Sequence, residues 1–401
     1  MTPTSNTSTN NRRLPTCLAL GTAGLMVFTG CATSSEAATA AETTTESTDV
    51  ATIATSSSTA SETGELDLFD SSVVHTISVD FNQDDYDSMI DTFTATGDKD
   101  WISATVTIDG TTYENVGVRL KGNSSLFGLT AETSDNPEDL PWLIRLNEFV
   151  DGEDHQDYED IVIRSNSTET ALNEAVAQEL LALTGLAAQS PIATAFTVNG
   201  GETELRLAVE NPDEEWYEDN FDDEDGLLYK ADSEGDYSYR GDDPVAYTDV
   251  FDQDVGDDDM TPLIDFLDFI NNSDDATFAA ELGNELDVEA FVTYLAFQDL
   301  IGNADDIDGR GNNSYLQYDT TIEQFTVVSW DLNLAFDTAN VTGGGAGGAG
   351  AGGAGAAGDA VGGAGGGPRG QANVLVDRFM ADADFTALYE TRTDELGELQ
   401  R

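Results

Sequence analysis

The chain has 401 residues, with 78 acidic side chains against 15 basic ones and a formal net charge of −63. This charge would repel a phosphate backbone, which argues against nucleic acid as a partner. The two cysteines, Cys17 and Cys31, stand close to the start of the chain. The remaining residues can therefore form neither a disulfide nor a cysteine-ligated zinc or iron site.

Lysine is scarce and occurs only at Lys99, Lys121 and Lys230. Few lysines with abundant aspartate are typical of a protein adapted to high salt, where screening removes the repulsion between like charges. We therefore expect a halophilic protein. Loss of the folded signal on dialysis into low salt would support this expectation, and indifference to salt would contradict it.

The chain begins with a pattern typical of a targeting segment. Arg12 and Arg13 precede an apolar run from Leu14 to Phe28, which ends in Thr-Gly-Cys31. The pattern predicts a lipoprotein signal peptide over residues 1–31, with Cys31 as the lipidated N-terminus and an extracytoplasmic, membrane-anchored product. An ordinary secretory signal with an incidental cysteine is the alternative. Residues 32–66 are rich in Ser, Thr and Ala, which predicts a disordered tether before a domain at 67–401.

The first half of this domain alternates as β-strands do. Strands are predicted at Val73–Phe81, Trp101–Ile108 and Thr112–Leu120, with a short helix from Asp84 to Phe93. Asp109-Gly110 is a strong hairpin signal between the second and third strands. The third strand leads into Lys121-Gly-Asn-Ser-Ser125, whose backbone and side-chain donors could cradle phosphate oxygens, although such turns are common.

Mixed elements follow. The patterns predict strands at Pro141–Phe149 and Asp160–Arg164, then a helix from Asn166 to Thr184 with Leu172, Val176, Leu180 and Leu183 on one side. A hairpin over 191–209 ending at Glu210 and a strand at Leu227–Lys230 follow. The rest of this part is predicted as an acidic loop without periodicity at 232–259, helices at 260–271 and 287–301, and one or two helices at 374–396. The Gly/Ala-rich insertion 343–367 lacks the Lys and Ser/Thr of a P-loop and is predicted to be flexible.

The polar loop from Asn303 to Asn313 contains Asp305, Asp306 and Asp308. The runs after it predict a hairpin, Ser314–Tyr318 and Phe325–Phe336, which returns Asp331 beside the loop. An acid directly after Trp330 in an apolar run is costly to bury without a partner, and a cation is one such partner. Oxygen ligands of this kind suit Mg²⁺ when phosphates complete the shell. A solvated acidic loop is the alternative.

These segments resemble the CotH (spore coat protein H) kinase family. The resemblance lies in Asn303-x-Asp305, Asn313 with its Tyr-Leu-x-Tyr continuation, the segment Trp330–Phe336, Val116–Ser125 and Leu172–Leu181, and it covers roughly residues 72 to 390. It implies an atypical protein-kinase-like, two-lobed α+β fold, in keeping with strands first and helices later. It also implies an ATP- and Mg²⁺-dependent kinase that phosphorylates Ser or Thr of a protein substrate.

The resemblance assigns roles to the loop and the hairpin. Asp305 would orient the attacking hydroxyl, while Asn313 and Asp331 would hold Mg²⁺. Asp308 is the rival for Asp305, because its separation of five residues from Asn313 matches the usual kinase loop.

Further roles concern ATP. Arg119, Lys121 and Arg145 would clamp phosphate, although Arg145 could instead pair with a carboxylate or be a surface charge. Glu174 could pair with Lys121 or Arg145, as the helix glutamate of protein kinases does. Glu210 and Lys230 are weaker candidates for nucleotide contacts, and for Glu210 a helix-start acid is the commoner explanation.

A second interpretation of the sequence is a protein of another class, without catalytic activity. Asn333 and Asp337 stand where the family commonly has Asp and Gly, and basic residues near the phosphate site are few. The alternative is therefore a non-catalytic, surface-tethered binding or structural lipoprotein on a kinase-like scaffold. Hydrolase chemistry has little support, because neither His75 nor His155 belongs to a recognisable triad.

Overall fold

The computed structural model describes residues 66–165, 172–223, 225–233, 235–303, 305–309, 313–336 and 373–399. The predicted signal peptide with Cys31, the tether up to residue 65, the start of the predicted helix at 166–171 and the insertion at 343–367 lie outside these residues. In the described ranges, no helix is both long enough and apolar enough to cross a membrane.

Residues 64–401 form one compact unit of helices and sheets, which confirms the predicted α+β class. The two-lobed, kinase-like arrangement stays a prediction. The described strands are β1 (Val74–Phe81), β2 (Ile102–Ile108), β3 (Thr111–Leu120), β4 (Trp142–Arg145), β5 (Asp160–Ile163), β6 (Pro191–Val198), β7 (Thr203–Glu210), β8 (Leu227–Ala231), β9 (Phe251–Val255), β10 (Ser314–Asp319) and β11 (Gln324–Ser329). The described helices are α1 (Gln83–Thr96), α2 (Leu172–Leu183), α3 (Glu214–Asn220), α4 (Thr261–Asn272), α5 (Asp275–Glu285) and α6 (Val288–Ile301), followed by a C-terminal pair, Val374–Ala381 and Ala383–Leu399.

Seven strands close into a barrel in the order β1-β2-β3-β4-β5-β7-β6. Two of its hairpins turn at Asp109-Gly110 and Asn199-Gly200, where all four residues have positive φ. Such turns match the twist of antiparallel strands, which is why these dipeptides are strong hairpin signals. Alternate side chains fill the barrel; among those fully buried are Val106, Val116, Ile144, Ile161 and Phe196.

The other four strands form a sheet in the order β11-β10-β8-β9. Helix α6 is buried on most sides; Asp287 caps its start by accepting from the Ala290 amide at 2.9 Å, and Gly302 ends it with a φ of 64°. Its Phe291 belongs to a core that includes Phe325 of β11 and Phe379 of the C-terminal pair. Helix α6 thus fixes where the loop after Gly302 begins.

The outer face of the barrel packs against this second sheet. Leu143 of β4 and Val162 of β5 share one apolar cluster with Leu228 of β8, Tyr315 of β10 and Val328 of β11. Because side chains alternate along a strand, residues two positions away on these strands point to the same interface. We call the junction of the barrel face with the second sheet, at the end marked by Trp330, the cleft.

Several predicted elements need correction. Asp275–Glu285 forms helix α5, which the prediction missed, although Asp274 caps it and accepts from the Thr277 amide at 2.9 Å. The acidic loop contains strand β9, because pairing with β8 overrides its polar sequence. Strand β4 ends at Arg145 rather than continuing to 149.

Helix α2 presents the opposite face from the one expected. Leu172, Val176 and Leu183 are 52%, 47% and 77% exposed, whereas Glu174 and Gln178 are buried. The two polar side chains have partners from distant segments: Arg164 contacts Glu174, and Gln189 accepts a hydrogen bond from Gln178 at 2.8 Å. Such partners remove the penalty for burying polar groups.

Candidate functional site

Buried amides fix the start of the loop after α6. Asn303 is 6% exposed, and its Nδ2 donates to Oε1 of Gln298 at 2.9 Å. Gln298 in turn donates to Oγ of Ser329, at the end of β11, at 2.9 Å. The loop and the hairpin strand that carries Asp331 are therefore held together by hydrogen bonds shielded from water.

Ile307 anchors the middle of the loop. Its side chain is fully buried, its amide donates to the Tyr294 hydroxyl at 3.0 Å, and its carbonyl accepts from Nδ2 of Asn373 at 3.1 Å. Tyr294 lies on α6, and Asn373 caps the first helix of the C-terminal pair. Two separate segments thus set the position of the middle of the loop.

The structure brings Asp305 and Asn313 together, because Nδ2 of Asn313 donates to Oδ2 of Asp305 at 3.0 Å. An amide that donates through nitrogen still has an oxygen for a metal. Asp308 is exposed, whereas Asp306 is buried. Burial and the neighbouring Asp308 carboxylate hold the pKa of Asp306 well above its usual range.

Asp331 lies at the same end of the hairpin as Asn313, since Ser314 pairs with Ser329. Its backbone is left-handed, with φ 55° and ψ 65°, a conformation that aspartate tolerates better than most residues. Its Oδ1 is buried and has no hydrogen-bond partner among the described residues. Among the described residues, Arg164 forms an ion pair with it, with Nη1 3.4 Å from this oxygen.

Arg164 is the residue that sequence reasoning missed. Its Nη2 lies 2.6 Å from Oε1 of Glu174, so the expected pairing of Glu174 with Lys121 or Arg145 is wrong. Its guanidinium carbon lies 4.6 Å from the centroid of the Trp330 ring. The pKa of Glu174 is raised to about 7 by burial, against the opposing effect of Arg164.

A signal for Arg164 was present in the sequence. It directly follows the apolar run of β5, as Asp331 follows the run that ends in Trp330. A permanently charged side chain at such a place needs a buried partner. The position of Arg164 therefore predicts a buried acidic partner, but it does not predict which one.

Lys121 lies where the barrel meets the second sheet. Its Nζ donates to Oδ1 of Asn211 at 3.0 Å and lies 5.3 Å from the Trp330 ring centroid. Burial, followed by the charge of Lys230, lowers the pKa of Lys121 to about 7. Lys230 approaches from β8, with its Nζ 6.0 Å from the ring centroid of Tyr315.

Trp101 lies beneath two guanidinium groups. The guanidinium carbons of Arg119 and Arg145 lie 4.8 and 5.3 Å from its ring centroid. Arg145 forms a two-pronged pair with Asp160, with Nε–Oδ1 and Nη2–Oδ2 distances of 2.8 and 2.7 Å. Of the predicted alternatives for Arg145, the structure shows the carboxylate partner. The Nε atom of Arg119 is buried without a hydrogen-bond partner in the described ranges.

Two further buried residues join these cations. Asp160 is 3% exposed and Asn211 is 8% exposed, and Nδ2 of Asn211 donates to Oδ2 of Asp160 at 3.0 Å. Arg145 and Lys121 are thereby connected through one acid and one amide. Neither connecting residue was predicted, because each is recognisable only from contacts across the fold.

Glu210 has a backbone partner. It is 5% exposed, and its Oε2 accepts from the Ser190 amide at 2.9 Å. Burial raises its pKa, and the Ser190 hydrogen bonds oppose that shift. The contact ties the end of β7 to the start of β6, and a nucleotide contact of Glu210 stays a prediction.

Asn313 and Asp331 could bind a hard cation only if a ligand supplied further oxygen atoms. No group of three or more His, Cys, Asp or Glu side chains is placed to hold a metal in the part of the chain that the structure describes. Asn313 and Asp331 would supply two oxygens; Oδ1 of Asp331 has no hydrogen-bond partner in the described ranges and lies 3.4 Å from Nη1 of Arg164. Phosphate oxygens can complete the shell of Mg²⁺, so these residues fit the metal in that form.

A cavity elsewhere suits an anion poorly. It has a volume of about 580 Å³ and lies at the other end of the β10–β11 hairpin, beside Tyr318 and Phe325. Asp265, Glu285 and Glu323 line it. Their negative charges would repel a nucleotide, so the cleft is the better candidate site.

The chain matches the model of a known protein family. The family model described as CotH kinase protein matches residues 118–399, more than two thirds of the chain. The match includes Lys121, Arg164, Asp305, Asn313 and Asp331, and it confirms the resemblance predicted from the motifs. The search of curated proteins found no match to the chain.

Proposed function

Because the chain belongs to the CotH kinase family, we propose that its cleft binds ATP with Mg²⁺ and transfers the γ-phosphoryl group to a Ser or Thr hydroxyl of a protein substrate. The observation that carries the proposal is the approach, within a chain of net charge −63, of Lys121 and Arg164 to Trp330, next to Asp331. Cations held together in so acidic a protein suit an anionic ligand.

In this proposal the cations position the phosphates. Arg119 and Lys121 lie on the same face of the β3 end, since side chains two apart share a face. Lys230 approaches from the second sheet. Arg164 remains paired with Glu174 and holds the Asp331 carboxylate in place. Bound Mg²⁺ supplies neutralisation of charge between the phosphates.

Asp305 performs the proton step. Its carboxylate accepts the proton of the attacking Ser or Thr hydroxyl as the oxygen bonds to the γ-phosphorus, and ADP leaves with the electrons of the broken P–O bond. The hydrogen bond from Asn313 orients this carboxylate. The buried anchors Tyr294 and Asn373 hold the loop, so little reorganisation is needed during transfer.

The proposal is tested by thermal unfolding with ATP, ADP and GTP, each with and without Mg²⁺, in a buffer of adequate salt. A ligand that binds only the folded state raises its melting temperature. We expect ATP with Mg²⁺ to give the largest shift. No shift with any nucleotide would favour the non-catalytic binding or structural lipoprotein.

Lys121→Met is expected to weaken ATP binding about tenfold while leaving the fold near wild type, because Met retains much of the packing of the stem. Wild-type binding should weaken as the pH rises above about 7, since Lys121, with a pKa lowered to about 7, then loses its proton. Calorimetric titrations at several pH values check both results. Unchanged affinity and an unchanged pH profile in the variant would remove Lys121 from the phosphate-binding residues.

The contribution of Lys121 to the stability of the unliganded protein should show the opposite trend with pH. The pKa of Lys121 is about 7 when folded and 10.5 in the reference state, so the unfolded chain binds more protons between these values. The contribution of Lys121 to the free energy of unfolding therefore rises with pH in this window. Lys121→Met removes this contribution.

For location, we propose that Cys31 carries the lipid that anchors the domain outside the cytoplasm. Cys31→Ser should release the protein from membranes without unfolding it, because the predicted tether separates the anchor from the domain. Membrane fractionation and the melting temperature of the released protein check this expectation. A variant that stays with the membrane would contradict it.

A further inference from the structure

Trp101 lies beside Arg119 on neighbouring strands of the barrel. It directly precedes β2, whose first residue, Ile102, pairs with Val118 of β3, so the antiparallel register brings Trp101 opposite Arg119. Because Val118 is buried inside the barrel, the next side chain, that of Arg119, points to the outer face. There its guanidinium carbon lies 4.8 Å from the centroid of the Trp101 ring.

Gly117 makes room for this ring. A Cβ atom at position 117 would lie 3.2 Å from Cε3 of Trp101 and 2.4 Å from Cβ of Glu148. The ring therefore lies against bare backbone of β3, and any larger residue would displace it or Glu148. Gly117 pairs with Arg145 of β4, and the guanidinium carbon of Arg145 is 5.3 Å from the same ring centroid.

The two guanidinium groups over the Trp101 ring differ in their partners. Arg145 is neutralised by Asp160, with an Nη2–Oδ2 distance of 2.7 Å. Arg119 is half-buried and has neither a hydrogen bond nor an ion pair with any residue that the structure describes, and its Nε is fully buried.

This lack of a partner sets Arg119 apart. The other arginines in the described ranges each pair with an acid, and they are Arg145, Arg164, Arg206, Arg240, Arg378 and Arg392. Partly buried charges normally have partners, because burial without one costs free energy. In a chain with 78 acidic residues, an arginine that pairs with none of those described is suited to an anion from outside the chain.

Contacts on the barrel face connect this ring to the cleft. Trp101 packs against the cluster that contains Trp330, the residue before Asp331. Arg119 stands two positions before Lys121, so the two side chains leave the same face of the barrel. The Nζ of Lys121 lies 5.3 Å from the centroid of the Trp330 ring. An anion bound by Arg119 and Lys121 would therefore adjoin the end of the cleft where Asp331 lies.

We infer that Trp101 is a positioning residue for an anion subsite at Arg119, which takes a phosphate group of the nucleoside triphosphate. The inference rests on the proposed function, and Trp101 lies outside the family match, which begins at residue 118. The indole face holds the guanidinium in place without neutralising it. An oriented guanidinium can direct two N–H groups at one phosphate. Phosphate is favoured over a peptide carboxylate because Lys121 and the candidate metal ligand Asp331 follow along the cleft.

Substitutions of Trp101 test this role. Trp101→Leu should weaken the binding of ATP with Mg²⁺ and of inorganic tripolyphosphate about fivefold, because Arg119 loses the ring that orients it. Trp101→Phe should bind both within about twofold of the wild type, since it keeps an aromatic face. Calorimetry at fixed salt measures the affinities, and melting temperatures establish that each variant is folded. Trp101→Met, which retains more bulk, replaces Trp101→Leu if the latter does not fold.

A double-mutant cycle separates positioning from support of the fold. Arg119→Met should weaken binding about tenfold, since one charge contact is lost. If Trp101 acts through Arg119, adding Trp101→Leu to Arg119→Met should weaken binding no further, whereas independent effects would multiply to about fiftyfold. Arg392→Met is the matched control for loss of a cation, because Arg392 pairs with Glu289 and Glu395. It should bind both ligands as the wild type does.

The outcomes distinguish failure of the inference from failure of the proposed function. Wild-type affinity in Trp101→Leu, or independent effects in the cycle, would overturn the inference while the proposed function stands. Binding of polyglutamate that depends on Trp101, without binding of tripolyphosphate, would make the subsite one for carboxylates and overturn its assignment to phosphate. Binding of tripolyphosphate but not ATP, weakened by Trp101→Leu, would support the subsite and contradict the nucleotide function. A wild type that binds neither ligand would contradict both.

Discussion

Asp331→Asn is expected to abolish Mg²⁺-dependent nucleotide binding and to leave the fold intact. The substitution keeps the shape of the side chain and removes the charge whose oxygen is buried without a hydrogen bond. Arg164 keeps Glu174 as its partner, so no buried guanidinium is left without a carboxylate. Calorimetric titration of ATP with and without Mg²⁺ measures the effect.

Asp319→Asn is the matched control for this substitution. Asp319 ends β10, at the opposite end of the hairpin from Asn313, where it accepts from the backbone amides of Thr321 and Ile322. The control should bind ATP as the wild type does. Equal, Mg²⁺-dependent binding by Asp331→Asn and the control would remove Asp331 from the metal site.

Asp305→Asn is expected to leave ATP bound and to reduce phosphoryl transfer by roughly 10² or more, the effect of losing a positioned base. Asparagine can still accept the hydrogen bond that Asn313 donates, so the loop should keep its geometry. Nucleotide affinity and the rate of transfer, measured on the same preparation, separate the two effects.

Asp308→Asn decides between the two loop acids. Asp308 is exposed and lies beside the buried Asp306, whereas Asn313 donates to Asp305, which favours Asp305 as the base. If Asp308→Asn alone lowers transfer, the role moves to Asp308. If Asp305→Asn, Asp308→Asn and Asp331→Asn all leave binding and transfer unchanged, the proposed site is wrong.

Local sequence patterns were sufficient to predict most of the strands of the barrel. Alternation and the turn dipeptides predicted β1, β2 and β3 to within one residue at each end, and they predicted the hairpin that β6 and β7 form. The reason is that the barrel faces and the type of turn are set by neighbouring residues. The hairpin that carries Asp331 was predicted for the same reason. The pairing of Ser314 with Ser329 shows the expected return beside the loop.

Long-range pairing accounts for what the sequence did not predict. Arg164, Asp160 and Asn211 acquire their roles only when β5, α2 and the end of β7 meet. Helix α2 shows the limit of periodicity most clearly, because its buried face contains Glu174 and Gln178 and its exposed face contains Leu183. An apolar stripe predicts burial only when the polar face has no partners elsewhere.

Asn333 stands where the family commonly has Asp, and its backbone contacts helix α2. Its carbonyl accepts a hydrogen bond from Nδ2 of Asn173 at the start of α2, so its backbone joins the turn after Asp331 to the helix that carries Glu174. This contact does not depend on the side chain at 333. The link between this turn and helix α2 therefore does not require an acid at that position.

Phosphoryl transfer from ATP to Ser or Thr is tested by the detection of phosphorylated residues after incubation with ATP and Mg²⁺. Purified protein, with a general Ser/Thr-rich acceptor protein added, would be analysed by mass spectrometry, beside Asp305→Asn under the same conditions. If Asp305 is the base, we expect new phosphoserine or phosphothreonine with the wild type and at most a trace with the variant. Tight ATP binding without phosphorylation of any Ser or Thr, on the acceptor or on the chain itself, would contradict it.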